Sequence, residues 1–424
     1  MKTVITAASV FAFGAVTLTV GQTPAASADF YKSKRMTMYI GYSAGGGYDR
    51  YARSTARHMH RHIPGNPKII SKNLTGAGGL RMTNALYGRF KQDGTIVGII
   101  PSRSALEAIQ GNPGAKFNAT KFQWLGSANK ETAICTFWHT APIKTVDDLL
   151  TKSAIVGGIG PGTGSDTNTM MLNNLMGTKL RLITGYPGSA DLSLAMERGE
   201  VDGRCGHTWS SVRATQKKWL DAKKIVIPLQ LALKANPELK GVPLVTKYIK
   251  NDLDLKALKM IVAPLTMGRP FAVGPKVPKD RVKILRAAFM ATMKDKEFLK
   301  EAKKGRVPIN PVSGAEVQTL VANLYAQPPE VIKRMSEAIS KTNNTRITKA
   351  VVKTYTHRGK ITALKRGGKR VSWKGKEAKG KLRVGGKTKI TVGGKTAKRK
   401  ALKVGMSCTF KVKGAQKALG IDCS

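Results

Sequence analysis

Ser43-Ala44-Gly45-Gly46-Gly47-Tyr48-Asp49 follows the apolar run 36–42 and precedes a helical pattern. About 115 residues later, Gly160-Pro161-Gly162-Thr163-Gly164-Ser165-Asp166 follows the apolar run 155–159 in the same way. Glycine lets backbone approach a ligand closely, and the helix that follows points unpaired N–H groups and a partial positive charge at it. One such turn says little. Two, each opening a strand–turn–helix unit, predict two domains that clamp a small anion.

Around these turns the body alternates strands and helices. Residues 36–42 read as a strand, and 48–62 as a helix stopped by Pro64-Gly65-Asn66-Pro67. Residues 68–73 form a strand leading to Gly76-Ala77-Gly78-Gly79 and a helix through Tyr87, with strand again at 96–100. In the second unit 146–151 opens a helix, 155–159 is a strand and 167–176 a helix. Residues 180–184 are a strand ending in Gly185-Tyr186-Pro187-Gly188, followed by a helix over 190–198 and a strand over 202–206. This order implies mostly parallel sheets covered by helices. Val282, Leu285, Phe289 and Thr292 recur at helical spacing in a helix expected over 282–304, and 317–325 and 329–339 read as terminal helices.

From about residue 342 the helical periodicity stops. Short alternating stretches at 360–364, 370–373, 381–384, 389–392, 407–412 and 418–423 are split by glycines. They predict a small antiparallel barrel or meander, with disorder as the other reading because large apolar residues are few. Val-Gly-Gly-Lys-Thr occurs at 384–388 and again at 392–396. Residues 341–424 carry 25 Lys/Arg against Glu377 and Asp422, so nearly half of the net charge of +48 sits in one fifth of the chain.

Residues 1–28 read as a secretory leader. Lys2 supplies the positive start, 4–20 the apolar run and Ala26-Ser27-Ala28 the cleavage site, which places the mature start at Asp29. An uncleaved anchor is the other reading, and Thr and Gly interrupt this short run. With no lipobox cysteine before the cleavage site, the expectation is a Gram-negative periplasm. About 396 residues then remain, enough for two or three domains. An even cysteine count in an oxidising compartment favours disulfides. Local pairing gives Cys135–Cys205 and Cys408–Cys423, with free buried thiols as the other reading of the first pair. The second bridge would add on the order of 3 kcal/mol. No cysteine spacing suggests zinc, and no metal or cofactor is expected.

Gly41-Tyr42-Ser43-Ala44-Gly45 matches the G-x-S-x-G nucleophile elbow and makes a secreted serine hydrolase using Ser43 a rival reading. That elbow needs an oxyanion donor from an earlier strand–helix loop, and the dozen mature residues before Gly41 cannot build one. His58, His60 and His62 cluster at a helix end, where they fit contacts with the last carbonyls better than a metal. The Gly-Lys-Thr triplets lack the upstream glycine of a nucleotide loop, since Lys381 and Lys389 stand there. Asp49 and Asp166 sit where helix caps belong, and Asp49 also has a place facing the cleft. Asp191 and Asp202 read as a helix-start and a strand-end residue.

In order and spacing, Gly45-Gly46-Gly47-Tyr48-Asp49, Asn73-Leu74-Thr75-Gly76-Ala77-Gly78-Gly79 and Asp93-Gly94-Thr95 resemble the periplasmic solute-binding proteins of tripartite tricarboxylate transporters, the Bug proteins. Gly164-Ser165, Gly185-Tyr186-Pro187-Gly188, the run 195–202, Gly268-Arg269-Pro270-Phe271 and Val277-Pro278 extend the resemblance over roughly residues 30–340. It implies a periplasmic-binding-protein-like α/β fold of two α/β domains joined by two hinge crossings near 125–135 and 224–232. Domain I would be discontinuous, over 29–130 and 228–340, and domain II would span 131–227. A small basic β-rich extension over 342–424 would follow.

The resemblance further implies a non-catalytic receptor for a small organic carboxylate that delivers its solute to integral membrane transporter subunits. Carried over, Ser43, Ala44, Gly46 and Gly47 face Thr163, Gly164 and Ser165 across the cleft. Asp49 matches the family aspartate, and Tyr186 and Asp202 are further contacts. Two features depart from the family. Asp166 stands beside the second loop, and the basic extension has no place in the usual fold. The rival from another class gives that extension an anionic envelope polymer or lipid as partner. Trp373, Tyr355 and Phe410 are too few aromatics for a nucleic-acid stacking platform, so no specific nucleic acid is expected.

Overall fold

The computed structural model describes residues 29–341, 346–350, 354–376, 378–386, 388–413 and 417–424, and the expected leader over 1–28 lies outside them. In β1 (Arg35–Ile40) Met36, Met38 and Ile40 are buried while the residues between them are not, which is the period of a strand with one face on a core. It pairs in parallel with β2 (Lys68–Asn73) and β3 (Ile96–Ile99). β4 (Gln123–Ser127), β10 (Pro270–Val273) and β11 (Val312–Ser313) add antiparallel, completing sheet A in the order β11-β4-β10-β3-β1-β2. Sheet B has the order β12-β7-β6-β8-β5-β9. Its strands are β5 (Ala133–Trp138), β6 (Ser153–Gly157), β7 (Lys179–Thr184), β8 (Gly203–Thr208), β9 (Ile225–Leu231) and β12 (Ile347–Lys349). β6 runs parallel to β7 and β8, and β5 is antiparallel to β8 and β9. The two-sheet α/β body with a strand-rich C-terminal region agrees with the expected fold class.

The chain crosses from sheet A to sheet B between Ser127 and Ala133. It returns later than the residues 224–232 expected for the second hinge. β9 stays in sheet B through Leu231, paired with Ala133, and the next sheet A strand begins at Pro270. The helices Asp252–Val262 and Pro329–Ile339 pack on each other, and the second packs on Gly164–Met176 of the sheet B unit, so the segment 228–340 covers both sheets. The single helix expected over 282–304 is two, Lys279–Lys294 and Lys296–Lys304. Asp295 breaks it by turning extended and accepting from the Phe298 N–H at 2.9 Å, a cap that starts the second helix. Cys135–Cys205 joins β5 to β8, and Cys408–Cys423 joins the last two strands of the chain, both pairings as expected.

The extension is a barrel. β13 (Thr354–Lys365), β14 (Arg370–Lys374), β15 (Lys379–Arg383), β16 (Lys389–Val392), β17 (Lys395–Thr396), β18 (Ser407–Lys413) and β19 (Lys417–Cys423) form one sheet. The pairing of β15 with β19 closes it. Ile361, Val371, Trp373, Leu382, Phe410 and Ile421 fill its interior, while Val404 is exposed. The second Val-Gly-Gly-Lys-Thr copy makes the β16–β17 hairpin. Gly393 and Gly394 both have positive φ, 57° and 75°, as a two-residue primed turn requires. The barrel is tied to sheet B by β12, which lies parallel to β7, and by the Tyr355 hydroxyl, which donates to Glu200.

Candidate functional site

Open α/β sheets bind ligands beyond the carboxyl ends of their parallel strands. Here the ends of β1, β3, β6 and β8 converge on one cavity of about 80 Å³ between sheets A and B. Ser43, Gly46 and Gly47 line it from the first glycine-rich turn, and Thr163, Gly164 and Ser165 from the second. Each turn leads into a helix, Gly47–Met59 or Gly164–Met176, so both helix N-termini open on the cavity. The cleft is closed. The Ser43 hydroxyl donates to Asp191 Oδ2 of the opposite domain at 3.4 Å, and a Cβ on Gly47 would lie 2.1 Å from Ser211 Oγ.

The other expected site residues stand elsewhere. Ala44 is buried beside the turn and does not line the cavity. Asp49 braces the turn. It accepts from the Gly45 N–H (3.0 Å), Arg53 Nε (2.8 Å) and Asn73 Nδ2 (2.9 Å). Burial pushes its carboxyl up, but these bonds outweigh burial and hold it below the ordinary value. Tyr186 packs among Leu192, Met196, Val201 and Trp219, away from the cavity. Asp202 accepts from the Ile155 N–H at 2.7 Å and pins β6 beside β8. Asp166 organises the second turn by accepting from the Gly160 N–H and the Thr163 and Ser165 hydroxyls, and burial raises its carboxyl despite these bonds. It faces its own loop, not the cavity.

The charge in the site comes from three buried arginines, none of them expected as a site residue from the sequence, although Arg269 stands in the run Gly268-Arg269-Pro270-Phe271. Arg269, just before β10, is paired with Glu131 at 3.0 Å and donates to the hydroxyls of Thr208, Ser210 and Ser211. Arg103, after β3, donates to the Ile261 carbonyl (2.6 Å) and Asn168 Oδ1 (2.7 Å) but faces no carboxylate in an ion pair among the described residues. Arg204, on β8, is 3% exposed, and its Nε and Nη1 have no hydrogen-bond partner among the described residues. Burial lowers the Arg103 and Arg204 guanidiniums to about 10, so both stay cationic at neutral pH. His207 also lines the cavity. Burial, then Arg204 and Arg269, push it well below its ordinary value, which keeps it neutral. A buried cation with unmade hydrogen bonds is costly to the fold and is relieved by an anion.

Among the described residues Ser43 has no hydrogen bond to a histidine, the base that a serine nucleophile of the triad type uses. Ser43 bonds to Asp191, while His207 Nδ1 faces Thr136 Oγ1 at 3.4 Å. The histidines at 58–62 hydrogen-bond to side chains. His58 meets Glu301 and His62 meets Asp295, each at 2.8 Å, and His60 meets Asn66, where contacts with helix carbonyls are expected from the sequence. No group of residues suited to a metal ion occurs among the described residues.

No family model matches the chain, and no curated protein matches it. Solved structures do. The periplasmic binding protein BugD superposes with a TM-score of 0.60 at 18% identity, covering 74% of this chain and all of that one. MatC from Rhodopseudomonas palustris, solved with bound malate, has a TM-score of 0.56 at 16% identity, covering 72% of this chain and 99% of that one. A second R. palustris protein, solved with adipate, has a TM-score of 0.56 at 16% identity, covering 71% and 97%. The likeness is one of fold.

Proposed function

We propose that the protein is a non-catalytic periplasmic receptor for a small organic carboxylate, exported by a leader over residues 1–28. It would deliver its solute to the integral membrane subunits of a tripartite tricarboxylate-type transporter. Arg204 carries this reading. It is a buried guanidinium lining a closed interdomain cavity, with two N–H-bearing nitrogens unpartnered among the described residues. The two helix N-termini support it, because backbone N–H groups of the Gly46–Gly47 and Gly164–Ser165 turns would meet a carboxylate there. The neighbours solved with malate and adipate support the ligand class. A cavity of about 80 Å³ suits a compact acid enclosed by closure, as in hinged binding proteins.

The test is the melting temperature of ligand-free mature protein across mono-, di- and tricarboxylates, aromatic acids, amino acids and sugars. One acid class should raise it by mass action. In Arg204→Met the affinity for that acid, measured by calorimetry, should fall about tenfold to a hundredfold, the value of a charge-assisted hydrogen bond. A panel with no anion-dependent shift, or an Arg204→Met chain with unchanged affinity, would overturn the reading.

A further inference from the structure

The barrel holds a second concave surface that solute binding does not use. A groove of about 1270 Å³ is lined by β13, β14, β18 and β19 and by the Gly393–Gly394 turn. Four exposed cations line it, Arg358, Lys360, Lys374 and Lys376. Among its described lining side chains the one acid is Asp422, which accepts from the Thr391 hydroxyl. The aromatic part is a braced stack. The half-buried His357 ring lies 4.9 Å from that of Trp373 at 28° and 6.4 Å from that of Tyr355 at 21°, and Trp373 lies 5.3 Å from Phe410 at 30°. Trp373 and Phe410 are buried, so the imidazole is the planar group left at the groove. Hydroxyls of Thr356, Ser407 and Thr409 complete the lining.

We propose that this groove binds an anionic glycan, a chain of sugars bearing carboxylates. Spaced cations on a concave wall match spaced carboxylates, and hydroxyl side chains donate to and accept from sugar hydroxyls. A flat ring held from behind suits the apolar face of a sugar. A single-stranded nucleic acid needs successive exposed aromatic faces, and of the four stacked rings Tyr355, His357, Trp373 and Phe410 the last two are covered and Tyr355 is held by Glu200 and Arg198. A lipid surface needs a cluster of apolar side chains that reach into the bilayer boundary, and among the described barrel residues Val404 is the one large apolar side chain that is exposed. The barrel is fastened to sheet B, with the Arg198 guanidinium 3.3 Å from the Tyr355 ring centroid beside the Tyr355–Glu200 bond. Glycan in the groove would therefore hold the whole receptor at an anionic matrix while the interdomain cleft works.

The test uses the full mature chain with polygalacturonate as probe, and dextran, an oligothymidylate and phosphatidylglycerol vesicles as comparisons. The triple variant Arg358→Gln, Lys374→Gln, Lys376→Gln removes groove charge. The variant Lys395→Gln, Lys398→Gln, Lys400→Gln removes the same charge from barrel positions outside the groove. The groove triple should weaken polygalacturonate binding about tenfold or more, the outside triple less than about twofold, and His357→Ala about threefold or more. Equal losses in the two triples would reduce the interaction to net charge and overturn the proposal. So would absence of binding, or tighter binding to the oligothymidylate or the vesicles.

Discussion

Arg204 sits on a buried strand with hydrogen-bonding capacity that the described residues leave unused, which makes it a cost to the fold and an asset to a bound anion. Its sequence context, Asp202-Gly203-Arg204-Cys205, shows none of this, because an arginine is a surface residue by default. Arg103 is unmarked for the same reason, Arg269 is marked only as part of the run Gly268-Arg269-Pro270-Phe271 with no site role, and only the convergence of strand ends buries all three. Gly78 teaches a related point. Its φ is 62°, and a Cβ there would lie 2.4 Å from the Pro161 carbonyl oxygen of the opposite domain. Gly78→Ala should therefore lower the melting temperature of ligand-free protein modestly, since a left-handed alanine costs about 1 kcal/mol. It should lower solute affinity further, because closure presses the new methyl on Pro161. Calorimetric affinity equal to that of the parent chain would contradict this role of Gly78 in closure.

At the scale of elements, apolar periodicity located β1, β2, β3, β6, β7 and the helix Pro329–Ile339 to within two residues. It missed the division at Asp295, where one carboxylate ends a helical pattern and caps the next helix. Glu301 binds the helix Lys296–Lys304 to Gly47–Met59, and Asp295 binds its start to the turn His60–His62 that follows. Glu301 meets Arg57, His58 and Ser54, and Asp295 meets Arg61 and His62. Burial pushes Glu301 up, but these partners outweigh it and hold its carboxyl down at about 2, against an ordinary 4.5. A carboxyl held lower in the folded chain stabilises above its unfolded value and loses that contribution as the pH falls through its folded value. The melting temperature should thus drop between pH 4.5 and 2, and Glu301→Gln should flatten that drop. A variant that keeps the full slope would show that the helix pair does not depend on this carboxylate.

At the scale of the whole molecule, the body and the barrel are joined by strand addition. β12 lies along β7, with the Leu182 N–H donating to the Arg346 carbonyl at 2.9 Å and the Ala350 N–H to the Thr184 carbonyl at 2.6 Å. Removing β12 would leave β7 as an open edge strand. A chain of residues 29–341 should therefore melt below a chain of residues 29–350, while both keep the solute affinity of the parent within about twofold. Differential scanning calorimetry and titration decide this. Equal melting temperatures would mean that β12 adds nothing to sheet B. A lost affinity would mean that the barrel takes part in the cleft.

Composition, periodicity and the order of glycine-rich turns determined, from the chain alone, the α/β body, the change of texture near residue 342 and the two turns that meet at the cavity, while the bridge Cys135–Cys205 was decided by β5 and β8 lying side by side. Features of the first kind are local, and a strand, a turn or a capped helix is written in adjacent residues. Tertiary structure alone decided that β9 stays in sheet B, that Asp49 and Asp166 brace turns, and that Tyr186 and Asp202 stand away from the cavity. It also placed Arg103, Arg204 and Arg269 together, drawn from positions 103, 204 and 269 on separate strand ends. Burial and charge pairing depend on what distant segments bring to the same place, and no window of sequence contains that information.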